Sequence, residues 1–124
     1  MNYDEMKSNE EMNTLIAEKI MGWKPEGSFH PGEEKDWEGW RNEKGEGGFI
    51  LPPAYSSNIL PAMEVVKKMN VLQFTLGREN CSGVRFDASF YNDPNMTDRI
   101  HAMGGTASLA ICRAALKYME VRNG

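Results

Sequence analysis

The chain has 124 residues, 40% of them apolar and 26% charged, with a formal net charge of −4. These values describe one globular domain with a sizeable core and argue against wholesale disorder. They exclude a membrane-spanning helix, because no apolar run of about 18 residues exists, and an extended basic face for duplex nucleic acid.

Residues 1–11 are acidic and polar and carry no apolar leader segment, so they are expected to form a flexible lead-in without a secretory signal. The domain proper is then 12–124. Met12, Ile16, Ile20 and Trp23, with Leu15 beside them, recur at helical spacing and predict a helix to about Met21. Ser8 or Asn13 is the expected cap. Gly22 is the expected stop, and Pro25 forbids continuation. Residues 24–48 are rich in glycine and charge and read as loops around one short aromatic segment, Trp37–Arg41. Phe49-Ile50-Leu51 is a further short strand candidate, ended by Pro52-Pro53.

A second helix is predicted to start near Ser56-Ser57-Asn58. Pro61 is tolerated in its first turn, Ile59, Met63 and Val66 share a face, and Asn70 ends it. Leu72–Leu76 and Val84–Phe90 alternate apolar and polar residues. They predict an antiparallel hairpin joined by a connector from Gly77 to Gly83. One face carries Phe74, Phe86, Ala88 and Phe90, and the other carries Arg85, Asp87, Ser89 and Tyr91. Asn92–Asn95 is a loop. Gly104-Gly105-Thr106 opens a last helix to about Val121, with Leu109, Cys112, Leu116 and Met119 as its apolar stripe and alanines that allow close packing. The predicted order is α-β-β-α-β-β-α. It implies an α+β fold in which about three helices pack on a small antiparallel sheet.

The chemistry-bearing residues are sparse. Cys81 and Cys112 are too few for a disulfide scaffold and suit a reducing cytosol. His30 and His101 sit in no metal-ligand spacing, and the run Glu33, Glu34, Asp36 reads as a solvated face. No nucleophile elbow, phosphate-binding loop or dinucleotide fingerprint is present, so neither a catalytic set nor a cofactor is expected. A hydrolase would need a base, and His101 is the residue nearest the last helix start. Binding is better served. Gly104-Gly105-Thr106 is either an ordinary cap or a cradle of backbone N–H groups for an anion, and Ser56-Ser57-Asn58 offers the same pair of readings. Arg85 either pairs with Asp87 or a neighbouring strand, or offers its donor fork to a pyrophosphate. Arg113 starts off the apolar stripe, with solvation as its default. Tyr55, Trp37 and Trp40 either pack under loops or stack on a purine.

Three segments carry a resemblance: Leu15–Lys24, Tyr55–Asn58 leading into Met63–Val66, and Thr106–Lys117. Together they resemble small phage and prophage proteins of the phage α-β-α sandwich domain, and are similar in particular to Thoeris anti-defence sponge proteins. The resemblance implies a non-enzymatic protein that sequesters glycocyclic ADP-ribose, the signal made by bacterial TIR-domain immunity enzymes, and leaves it intact. It implies a dimer-based homo-oligomer, a dimer or a hexamer, in the cytoplasm of the infected or lysogenic host, with a second site for cyclic oligonucleotides in some relatives. By position it adds Tyr55, Ser56, Asn58 and Asn92 to Arg85, Gly105, Thr106 and Arg113 as ligand contacts. The alternative within the same fold is a phage structural or host-protein-binding accessory protein.

Overall fold

The computed structural model describes residues 3–28, 37–49, 51–71, 73–79, 83, 85–92, 95 and 99–123. Ile50, Leu72, Val84, His30, Cys81, Asp93, Pro94 and the acidic run Glu33, Glu34, Asp36 lie outside the described residues.

Helix α1 (Glu10–Ile16) begins at Asn9, whose side chain accepts from the Met12 N–H at 3.0 Å. The cap is therefore neither Ser8 nor Asn13, because both of those side chains are engaged elsewhere. The helix widens into a π turn over Ala17–Met21 and stops at Gly22, which takes the left-handed φ of 82° that glycine adopts without strain. Met12, Ile16, Ile20 and Trp23 are all buried, as their spacing predicts. Within the segment expected to be a lead-in, Tyr3 sits in a short 3-10 turn and is 5% exposed, packed in the core.

Strand β1 (Lys24–Ser28) pairs antiparallel with β2 (Trp37–Arg41) as a separate two-stranded sheet. The segment around Pro25 is thus strand rather than loop, and a two-stranded edge accommodates a proline. Of the expected strand at 49–51, Phe49 makes one isolated bridge to Trp40, and its ring lies 5.1 Å from that of Trp23.

Helix α2 (Ile59–Met69) has Pro61 in its first turn and ends on Asn70 in the left-handed conformation. Its packed face is Ala62, Val65 and Met69, whereas Ile59 and Met63 are exposed. Its partner is the alanine-rich last helix, against which Ala62 and Val65 are fully buried. Strands β3 (Gln73–Glu79), β4 (Arg85–Tyr91) and β5 (Arg99–Gly104) form an antiparallel sheet in the order β3-β4-β5. The predicted hairpin is present, with Phe74 opposite Phe90 and Leu76 opposite Ala88. Strand β3 continues through Gly77–Glu79, so the connector is shorter than the sequence reading makes it. Strand β5 is an addition to the predicted order.

Helix α3 (Ala107–Asn123) lies against β4 and β5 on one side and receives α1 and α2 on the other. It is a middle layer, and for that reason its burial exceeds the expected stripe: Ala110, Ile111, Ala114, Ala115 and Tyr118 are buried along with Cys112 and Leu116. The apolar sheet face meets it through Phe90, fully buried, with Phe74 at 5.2 Å and Tyr118 at 6.0 Å between ring centres. The architecture is α+β, as the order of elements implies.

Candidate ligand-binding site

The last strand runs straight into the last helix, and that junction sets the site. Thr106 caps α3, its hydroxyl accepting from the Leu109 N–H at 3.2 Å. A Cβ on Gly104 would stand 2.8 Å from the Ala110 nitrogen, so glycine is required for β5 to end so close to the first turn of the helix. Gly105 is exposed with open space around it. Arg113 and Lys117, one helical turn apart, project from α3 toward β5. The Arg113 guanidinium donates to the Met103 carbonyl and to the Met6 carbonyl, each at 2.8 Å. The Lys117 ammonium donates to the His101 carbonyl at 2.7 Å and to both oxygens of Asp4 at 3.0 and 3.1 Å. Arg85 is exposed at the start of β4. Together with Asp4 and His101–Gly105, these groups line a cavity of about 570 Å³, a size suited to a small organic ligand. Burial lowers the Arg113 guanidinium from its ordinary value, and Asp4 opposes that shift. Arginine stays charged in proteins regardless, so the cavity keeps its cation.

Beside the cavity lies a second polar cluster. Asp87 takes Arg99 at 2.7 Å through one oxygen, while its other oxygen is buried without a hydrogen bond, 3.4 Å from Nδ1 of His101. Arg99 also donates to Ser89 at 2.9 Å. Its long side chain lies against Ser89, which is buried although its strand position predicts a solvated face. Arg99 thus pairs with Asp87 in place of Arg85, which lines the cavity instead. The imidazole of His101 has Asp87 as a near neighbour but no hydrogen bond to it.

The other expected contacts are elsewhere. Ser56 is buried, and its N–H and hydroxyl both donate to the Asn13 side chain, at 2.9 and 2.7 Å, while Ser8 donates to the Ser56 carbonyl at 2.9 Å. This segment fastens α1 to the start of α2. Tyr55 is 2% exposed, and its phenol is pushed well above its ordinary value, first by burial and then by Glu43 and Cys112. Asn58 caps α2 through the Leu60 N–H at 3.3 Å. Asn92 follows β4 at the end opposite Arg85, about 20 Å away along a seven-residue strand. Trp40 is half-buried against the core, and of Trp37 only the backbone in β2 is described. Cys112 is fully buried and its thiol is pushed up to about 12 by that burial, which makes it inert at neutral pH. Among the described residues, no three His, Cys, Asp or Glu side chains converge as a metal site. No helix of the described residues is long and apolar enough to cross a membrane.

The site therefore gathers Arg85, Gly105 and Arg113, with Thr106 next to them, and leaves out Tyr55, Ser56, Asn58 and Asn92. It adds Asp4 and Lys117. Helical spacing from Arg113 is the signal that finds Lys117, whereas Asp4 is 113 positions away from its partner and leaves no local trace.

The model of the Phage ABA sandwich domain matches residues 14–116, most of the chain. The chain belongs to the Phage ABA sandwich domain family. Among solved structures, this ABA sandwich is similar to a phage protein from Bacillus cereus ATCC 14579, with a TM-score of 0.62 and 24% identity over 93% of this chain and 89% of that one. At that identity the likeness speaks for the fold. No curated protein matches the sequence. Of the residues that line the cavity at the junction of β5 and α3, all but Asp4 and Lys117 fall within the family match.

Proposed function

We propose that this phage-family protein captures a phosphate-bearing signal nucleotide, glycocyclic ADP-ribose, and holds it without chemistry, so that a bacterial immune effector is not activated. One observation carries the reading: Arg85, Arg113 and Lys117 reach a single cavity at the opening of α3 from two different elements. Cations and an open glycine stretch suit a pyrophosphate. The likeness of the Leu15–Lys24, Tyr55–Val66 and Thr106–Lys117 segments to sponge proteins adds the choice of ligand. Such a protein acts by affinity and stoichiometry, in the host cytoplasm and as a homo-oligomer, and needs no catalytic residue.

Calorimetry with glycocyclic ADP-ribose, followed by heat denaturation and assay of the supernatant, tests this. The expected result is stoichiometric binding, recovery of intact ligand, and a rise in melting temperature. Ligand at about 100 times Kd adds roughly 2.7 kcal/mol of stability. Arg85→Ala should weaken binding roughly tenfold, by about 1.5 kcal/mol, and leave stability within about 0.5 kcal/mol. Absence of binding at micromolar protein, or release of a cleaved ligand, refutes the reading.

A further inference from the structure

We infer that the His101–Met103 stretch of the free edge of β5 is a donor-rich rail for phosphate oxygens, made so by Arg113 and Lys117, which bond the carbonyls of those two residues. This deepens the reading above and rests on it for the identity of the nucleotide.

Strand β5 is the last in the order β3-β4-β5, so one of its sides pairs with β4 and the other has no strand among the described residues. In an antiparallel strand the N–H and C=O of one residue point to the same side, and alternate residues face the neighbour. The carbonyls of His101 and Met103 reach Lys117 and Arg113 on α3 at 2.7 and 2.8 Å. These two residues therefore face away from β4, and their N–H groups project from the same edge, roughly 7 Å apart for two residues of rise.

An ordinary edge alternates donors and acceptors and so templates another strand. Here an incoming strand finds its acceptors already bonded to an ammonium and a guanidinium. What the edge still offers is N–H donors, backed by positive charge. Arg113 has five N–H donors, of which the Met6 and Met103 carbonyls take two. The complementary ligand carries acceptors only, bears negative charge and needs no carbonyl in return. A pyrophosphate or phosphodiester meets that description better than a polypeptide, which brings donors as well as acceptors. The open space at Gly105 leaves the end of the rail uncovered.

Amide correlation spectra of the wild-type protein, titrated separately with inorganic pyrophosphate and with glycocyclic ADP-ribose, are the primary test. The His101 and Met103 amides should shift with the binding isotherm and gain protection from hydrogen exchange. Met103→Pro deletes one edge donor and spares the ladder bonds to β4. It should weaken binding at least tenfold and move the melting temperature by only a few degrees. If the wild type binds and Arg113→Ala weakens that binding, but the two amides neither shift nor gain protection, the rail is wrong and the ligand reading stands. If pyrophosphate moves the amides and glycocyclic ADP-ribose does not bind, the rail stands and the choice of nucleotide is wrong. Failure of both probes to bind overturns both.

Discussion

The two helix openings, Tyr55–Asn58 before α2 and Gly104–Thr106 before α3, look alike as sequence: a small polar cap ahead of an apolar run. The fold puts them to opposite uses. At α2 the donors are consumed internally, since Ser56 gives both its N–H and its hydroxyl to Asn13, and Tyr55 is sealed beneath the surface. At α3 the opening follows an edge strand, carries glycines where another residue would carry a side chain, and receives cations from further along its own helix. What a helix start can offer a ligand depends on what its surroundings leave unsatisfied, and the cap residue does not decide it.

Asn13→Ala tests the α2 side of that contrast and should have the largest effect. It strands the buried Ser56 N–H, while the Ser56 hydroxyl keeps the Ser8 hydroxyl at 2.9 Å, and an unmet buried donor costs about 3 kcal/mol at the upper end of the usual range. Denaturant unfolding should show that loss while affinity for glycocyclic ADP-ribose stays at the wild-type value. A loss of affinity at unchanged stability would put the Ser56 segment back among the ligand contacts.

At the α3 opening, the two adjacent glycines separate packing from access. Gly104→Ala drives a methyl group toward the backbone of α3, where the Ala110 nitrogen is 2.8 Å away and cannot swing aside. Overpacking of this kind costs about 2 kcal/mol and should also weaken binding by moving β5 off the helix. Gly105→Ala meets nothing within 4 Å and should leave stability within about 0.5 kcal/mol. Equal melting temperatures for the two variants would break the argument that Gly104 sets the strand-to-helix junction.

Period was the readable part of this molecule. Met12, Ile16 and Ile20 announce α1, and the alternation through Phe74 and Phe90 announces the hairpin, because a buried face imposes its repeat on the sequence. Strand β5 was harder: Ile100 and Ala102 are its inward residues, one half-buried and one small, and Gly104-Gly105 resembles a loop. The inward face of α2 is less legible: spacing groups Ile59, Met63 and Val66 on one face, whereas packing against an alanine-rich partner buries Ala62, Val65 and Met69. For the site, Gly105, Thr106, Arg85 and Arg113 could each be named from local chemistry, yet nothing local says that they meet. The partners of Asp87 and Lys117 arise from strand register and chain return, which a linear reading does not contain.

Asp4 offers the smallest and most discriminating test of the α3 site. Its carboxylate holds Lys117 at 3.0 Å on the cavity wall, with about half of the Asp4 side chain exposed. An exposed pair of this sort contributes about 0–1 kcal/mol, so Asp4→Asn should scarcely change the melting temperature. For an anionic ligand the same carboxylate is a competitor: it repels phosphate and shares the ammonium that phosphate would take. Asp4→Asn should therefore tighten binding of glycocyclic ADP-ribose several-fold at low ionic strength. The gain should shrink as salt rises, because the Debye length falls to about 8 Å at physiological ionic strength and 3 Å at 1 M. Tighter binding that is insensitive to salt would mean the gain came from loosening the 3-10 turn. Weaker binding would mean that Asp4 positions Lys117 for the ligand and does not compete with it.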